Sequence, residues 1–267
     1  MADGTSPLAT RRREQPRHEQ PSGKAWRTTA MFNARLADRH TETKSARYLA
    51  AASGIVWLDA PAGVVGGPIK RGFDIIGAVG ALLLLLPLFG LIALAIKLWD
   101  RGPVFYRHRR VGRNGTAFDC LKFRSMVVDS DAVLVRHLAG NSEAAREWEE
   151  TRKLKRDPRI TPLGLSMRKT SLDELPQLVN ILKGEMSFVG PRPIVTEEVP
   201  KYGTCIDHYL RARPGLTGLW QVSGRNDVDY ATRVALDRYY IESWSFWRDV
   251  RIIGKTARVV VTARGCY

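Results

Sequence analysis

FDIIGAVGALLLLLPLFGLIALAIKL, residues 73–98, decides what kind of protein this is. Ile75 to Ile96 is 22 consecutive residues without a charge. A helix of that length, rising about 1.5 Å per residue, reaches across the ~30 Å hydrocarbon layer of a bilayer, so the stretch predicts membrane contact. The alternative is a buried helix in a soluble core. Pro87 lies in the middle of the run. It removes a backbone donor and its ring crowds the preceding turn, which predicts a kink or break at Leu86-Pro87, with Gly77, Gly80 and Gly90 permitting close packing.

Charge flanks the run on both sides. Lys70 and Arg71 precede it, and Lys97, Arg101, Arg107, Arg109, Arg110 and Arg113 follow. Basic residues favour the cytoplasmic side, so both ends are expected there. A reentrant helix-break-helix that enters one leaflet, turns near Pro87 and leaves again meets this condition, provided the backbone groups freed at the turn find partners in the protein. A single ordinary crossing is the other reading.

The whole chain has 42 Lys+Arg against 27 Asp+Glu, a formal charge of +15, which calls for an anionic partner: nucleic acid, a phosphorylated small molecule or an acidic membrane face. With 44% hydrophobic and 26% charged residues, wholesale disorder is excluded. Cys120, Cys205 and Cys266 form no CxxC pair and the five histidines no HExxH spacing, so neither a disulfide scaffold nor a zinc site is expected. Residues 1–68 read as a basic, partly disordered extension without a secretory signal, residues 69–98 as the membrane helix, and residues 99–267 as a catalytic domain with interfacial helices.

Within that domain, Pro103 to Tyr106 and Ala117 to Phe123 read as strands of a small hairpin turning at Gly112 to Gly115. Helices are expected over 130–138, 142–155, 171–182, 228–241 and 243–261, the last opening on Trp244, Phe246 and Trp247 in the manner of an interfacial helix. The class is therefore α+β and mostly helical.

The stretch richest in chemistry is KRDPRITPLGLSMRKTSLDELPQLVNILKGEMSFVGPRP, residues 155–193. Ser171 and Glu174 have the spacing of a capping box. Asp173 falls in the first turn of the same expected helix, where free N–H groups stabilise an anion and draw phosphate, and an ionised carboxylate there can act as a nucleophile toward phosphorus. Glu174 is either a cap or a partner that handles a proton. Repulsion between the two carboxylates would be relieved by Mg²⁺, held by Asp173 and, by looser spacing, Asp157. Arg168 and Arg192 are candidates to clamp a diphosphate, Arg192 being framed by Pro191 and Pro193. Lys122 and Arg124, with Arg109 and Arg110, are further candidates for phosphate, including lipid phosphate. RPGLTGLWQVSGRN, residues 213–226, combines Pro214 and three glycines with Trp220 and Arg225 in a loop of the kind that builds sites.

These segments resemble a known family. KRGFDIIGA at 70–78, GPVFYRHRRVGRNG at 102–115, FDCLKFRSM at 118–126, DPRITPLG at 157–164, RKTSLDELPQLVNILKGEMSFVGPRP at 168–193 and RPGLTGLWQVSGRN at 213–226 look like the bacterial sugar transferases that are monotopic phosphoglycosyl transferases. The last segment is similar to that of the exopolysaccharide-type galactose and glucose members. The resemblance implies a monotopic enzyme on the cytoplasmic face of the bacterial inner membrane that moves hexose-1-phosphate from a UDP-sugar to undecaprenyl phosphate with Mg²⁺, releasing UMP. By that pattern Asp173 attacks the β-phosphate to give a phosphosugar-enzyme, Glu174 acts as a base or holds the lipid phosphate, and Arg192 with its prolines frames the nucleotide. Its partners would be those two substrates and the membrane lipids, and no nucleic acid. Two departures stand out: Leu86 occupies the place where many relatives carry Ser before the proline, and about 68 residues precede the resembling part, as in a short form of the family. The competing class is a non-catalytic basic membrane scaffold or a nucleic-acid binder.

Overall fold

The computed structural model describes residues 64–151, 153–224 and 228–262, and the reading of the basic extension over 1–63 lies outside them. A long helix, α1 (Gly67–Asp100), leads into an antiparallel hairpin of β1 (Phe105–Val111) and β2 (Ala117–Phe123). Helices α2 (Ser130–Gly140), α3 (Ser142–Thr151), α4 (Pro162–Thr170) and α5 (Gln177–Lys183) follow, then strand β3 (Ser187–Val189), short helices α6 (Val199–Tyr202) and α7 (Ile206–Arg211), strand β4 (Gly215–Thr217), and helices α8 (Tyr230–Glu242) and α9 (Phe246–Thr262). β3 and β4 pair in parallel. The mostly helical α+β class and strand β2 are as the sequence reading expects, while β1 runs over Phe105–Val111 rather than Pro103 to Tyr106 because its pairing with β2 extends up to the turn at Gly112.

The break expected at Leu86-Pro87 does not form. α1 continues through Pro87 for all 34 residues, about 51 Å at the usual rise. Its buried positions Lys70, Asp74, Ala78, Ile92 and Ile96, joined by partly buried Ala81, Leu82, Leu85 and Phe89, recur every three or four residues and face the domain. Leu82 and Leu85 before Pro87, and Leu88 and Phe89 after it, pack on one continuous protein surface. That packing holds both halves in one register against the loss of a helical bond, which costs about 3 kcal/mol for an interior proline.

Side chains at both ends tie α1 down. Lys70 pairs with buried Asp249, and Arg71 donates to the carbonyls of Ile181 and Leu182 at 2.6 and 2.8 Å. Asp74 Oδ1 accepts from Ser187 Oγ and the Phe188 N–H. At the far end Arg124 holds Asp100 with two hydrogen bonds. The basic pair read as a membrane flank thus faces the protein. The opposite face of α1 leaves Ile76, Leu83, Leu84, Leu86, Leu91 and Leu98 exposed, and among the described residues this is the one helix long and apolar enough to cross a membrane.

The domain is assembled by close approach of loops. The Gly190 N–H donates to the Thr217 carbonyl at 2.9 Å, and a Cβ on Gly190 would lie 2.4 Å from the Arg213 carbonyl oxygen, so only glycine lets β3 meet β4 this closely. Fully buried Asn180 imitates a strand partner for β2, accepting from the Leu121 N–H and donating to the Asp119 carbonyl at 3.0 and 2.7 Å. Trp244, read as interfacial, turns inward to donate to Asp249, while Trp247 remains exposed.

At Gly164 an added Cβ would sit 2.0 Å from the Ser125 carbonyl oxygen. Gly164→Ala is expected to lower stability by about 1–3 kcal/mol in thermal melts, while Gly254→Ala on open helix surface leaves it unchanged or raises it. A second prediction comes from Asp237, buried among tyrosines, which accepts from Tyr202 Oη at 2.8 Å and whose Oδ1 has no partner among the described residues. Burial pushes its carboxyl up to about 7, against the pull of the Tyr202 bond and Arg192. The folded state then holds a proton the unfolded chain has released, so stability falls as pH rises to about 7 and levels off above. Melting curves across that range should fall less steeply for Asp237→Asn than for wild type.

Candidate active site

Strand alternation supplies one wall. On β1 the side chains of Tyr106, His108 and Arg110 point to one face, and cross-strand pairing sets Tyr106 opposite Lys122. The Arg110 guanidinium donates to the Pro193 carbonyl at 3.2 Å and to His108 Nδ1 at 3.1 Å. Since arginine only donates, Nδ1 accepts, and the ring proton of neutral His108 is on Nε2. Burial, with Arg110 and Lys122 nearby, pushes the His108 pKa down.

The segment Ser171 to Leu182 differs from the helix expected there. Ser171 takes a left-handed conformation, with φ of 57°, and closes α4; Leu172–Glu174 form a 3-10 turn; α5 begins only at Gln177, after Pro176. No capping box forms. Glu174 instead accepts from Lys122 Nζ at 2.6 Å. Burial alone would raise the Glu174 carboxyl, but Lys122, Arg192 and Arg110 together outweigh it and hold the group below its ordinary range. Asp173 is buried, and among the described residues no side chain forms an ion pair with it. Burial pushes its carboxyl up, with Glu174 adding to the effect against the pull of Lys122 and Arg168. Two adjacent carboxylates therefore carry opposite shifts, the arrangement that divides roles between paired acids.

Asp173, Glu174, Lys122, Arg168 and Arg192 line one cavity of about 910 Å³, a size suited to a nucleotide-sized ligand. Arg168 is steadied by Ser125 Oγ at 2.9 Å. Arg192, exposed at the rim, lies over the Trp220 ring with its guanidinium carbon 5.9 Å from the centroid, and Arg233 lies 4.7 Å from the same centroid.

Other sequence candidates are placed differently. Arg124 lines the cavity, but its hydrogen bonds go to Asp100. Arg109 is on the outer face of the hairpin, paired with Asp119 at 3.4 Å, because its neighbours at even positions take the inner one. Pro191 and Pro193 act as frame: their carbonyls accept from the Gly215 N–H and Arg110. Leu86 and Pro87 belong to the outward side of α1. Arg225 lies outside the described residues. Asp157, read as a metal ligand, is engaged by Arg159, which donates from Nε, from a terminal guanidinium nitrogen and from its backbone N–H at 2.8, 2.7 and 3.0 Å. Burial opposes ionisation of Asp157, yet these bonds hold its carboxyl below the ordinary range. The described residues contain no cluster of three or more groups that would cage a metal. Sequence reasoning missed Tyr106, His108 and Gln221 as lining residues; the period-2 pattern Tyr106, His108, Arg110 is the signal that marks the first two.

With this geometry in view, comparison with known proteins is unambiguous. The profile of the bacterial sugar transferase family matches residues 65–263, and the chain belongs to that family of enzymes. It is 55% identical over 203 residues to the exopolysaccharide production protein ExoY of Rhizobium meliloti (strain 1021), covering 76% of this chain and 90% of that protein. It is 53% identical over 204 residues to the undecaprenyl-phosphate galactose phosphotransferase of Salmonella typhimurium, covering 74% of this chain and 42% of that one. Against the UDP-glucose:undecaprenyl-phosphate glucose-1-phosphate transferase of Escherichia coli (strain K12) identity is 39% over 204 residues, covering 73% and 40%.

Lys122 favours the charged form of both carboxylates. Lys122→Met should therefore move the acid limb of the transferase's pH–rate profile to higher pH, besides lowering the rate. An unmoved limb would separate Lys122 from the titrating group.

Proposed function

We propose that this protein transfers hexose-1-phosphate, galactose or glucose, from a UDP-sugar to undecaprenyl phosphate and releases UMP, beginning exopolysaccharide or related glycan assembly at the cytoplasmic face of the bacterial inner membrane. The observation that carries the reading is buried Asp173 in a cavity walled by Lys122, Arg168 and Arg192. The activities for which the galactose and glucose relatives are named support the substrate class.

In the first step a carboxylate oxygen of Asp173 attacks the β-phosphorus of the UDP-sugar. The bond from that phosphorus to the bridging oxygen breaks, UMP leaves with the electron pair, and the hexose phosphate is held as an acyl phosphate on Asp173. In the second step a phosphate oxygen of undecaprenyl phosphate attacks the same phosphorus, the bond to Asp173 breaks, and the carboxylate is restored. Lys122, Arg168 and Arg192 hold the phosphate oxygens and stabilise charge on the transferring phosphorus. Glu174, kept ionised by its cationic neighbours, is a weak base and serves to hold Lys122 at the reacting centre. Mg²⁺ takes one or two carboxylates plus substrate phosphates, so Asp173 and the diphosphate would hold it, Asp157 being engaged by Arg159. When bound, the ion supplies neutralisation of the diphosphate charge.

Membrane attachment follows the same logic. Both ends of α1 are fastened to one domain, through Lys70 and Asp249 at the start and Asp100 and Arg124 at the end. An unbroken helix so fastened would lie along the domain with its outward leucines toward one leaflet and both ends on the same side, the monotopic arrangement.

The test is UMP release by full-length protein in nanodiscs with undecaprenyl phosphate and Mg²⁺, across UDP-galactose, UDP-glucose and UDP-N-acetylated sugars. Wild type should release UMP with at least one hexose donor and carry labelled sugar phosphate when the acceptor is withheld. Asp173→Asn should do neither while keeping its fold and membrane association. Near wild-type turnover in that variant would remove Asp173 as nucleophile.

A further inference from the structure

Beside the Lys122–Glu174 pair, a recess of about 10 Å³ shares Lys122, Glu174, Arg192, Leu216 and Gln221 with the main cavity. A volume near 10–15 Å³ admits one water-sized group and no ring. Gln221 stands in its wall. The amide nitrogen of Gln221 is directed to the Leu216 carbonyl at 3.5 Å, while Oε1 is buried and has no hydrogen-bond partner among the described residues. A buried acceptor without a donor is costly and rare, and in a binding cavity it marks the place of a missing donor.

The substrates narrow what that donor is. Ionised phosphates bring none, the polyprenyl chain brings none, and the uracil N–H belongs to a ring the recess cannot admit. Hydroxyls remain, on the hexose and on the ribose. The hexose is bonded through one oxygen to the phosphorus that Asp173 attacks, and the recess borders Glu174, the residue next to Asp173. The ribose lies one phosphate further off. We propose that Gln221 is a specificity-determining residue, its Oε1 accepting a hydrogen bond from one hydroxyl of the donor hexose seated in this recess. The inference rests on the phosphoglycosyl transferase reading and adds to it the group that reads the sugar. Trp220, with Arg192 and Arg233 against its ring, and the Leu216 carbonyl on β4 fix the short 3-10 turn Trp220–Val222 that carries Gln221.

The experiment uses the full-length chain in nanodiscs with undecaprenyl phosphate, the preferred UDP-hexose, and a set of UDP-deoxyhexoses each lacking one ring hydroxyl. One deoxy donor should lower wild-type kcat/KM by roughly 10- to 100-fold, the scale of a buried acceptor left unpaired. Gln221→Met should lower kcat/KM for the parent donor by a similar factor and show no further loss with that deoxy donor. Inhibition by UMP and the KM for undecaprenyl phosphate should stay as in wild type. Three results would overturn the proposal: wild type tolerating removal of every hexose hydroxyl within twofold, Gln221→Met losing the same factor with every donor including all deoxy donors, or Gln221→Met weakening UMP, which would assign the contact to the ribose. The first is read on wild type alone and holds even if the variant fails to fold. Absence of UMP release from every UDP-hexose by wild type would instead overturn the transferase reading, and this inference with it.

Discussion

A helix that is apolar all the way round has to be satisfied by two apolar surroundings at once, and α1 is organised by that requirement. Its mean hydropathy of 2.7 over the most apolar window leaves no polar face for water. One stripe is taken up by the domain, where Phe118, Cys120, Leu178, Ile181 and Met186 close over its middle and Phe123 and Met167 over its end. The remaining stripe, centred on Leu83 and Leu84, is exposed. Hydrogen bonds and ion pairs at the ends of α1 fix where along the domain it lies.

The same packing positions the chemistry. β2 lies against α1 with one face and carries Lys122, while Asn180 bonds the β2 backbone to α5 and so holds the Asp173–Glu174 turn beside that lysine. The turn is well suited to unequal carboxylates, because one member finds a lysine and its neighbour does not. Arg192 arrives from the other side on a proline-framed loop that depends on the close passage of β3 past β4 at Gly190. The site is thus held by separate chain segments joined through the Asn180 side chain and through the β3–β4 pairing, which is the rigidity that positioning a phosphorus for displacement requires.

Much of this was legible in the sequence where a single segment carries its own signal. The apolar run, the hairpin with β2 at Ala117–Phe123, and the cluster of Asp173, Glu174, Arg168 and Arg192 could all be read from local pattern. Two of the failures have their cause in contacts made far along the chain, and a third in a local one. Pro87 stays helical because surfaces from β2 and α5 brace it, Ser171 closes α4 rather than opening a capping box because Glu174 finds Lys122 52 positions away, and Asp157 is engaged by an arginine two residues on. Arg109 and Arg110 are indistinguishable in composition, and strand register alone sends one outward and the other to the cavity. Gln221 gives no sequence signal, since an unpaired acceptor is a property of surroundings.

The pairing of Lys70 with Asp249 spans 179 positions. At the usual ~5–20 residues per second of synthesis, the lysine waits roughly 10–40 s for its partner to be made. During that interval α1 is complete, apolar on every side, and has neither its protein stripe covered nor its first charge neutralised. Through that interval the nascent chain carries a long apolar helix whose partner surfaces on β2 and α5, and whose Lys70 counter-charge, are still to be made. The order of synthesis thus makes the closing of α1 by α9 a late event in folding.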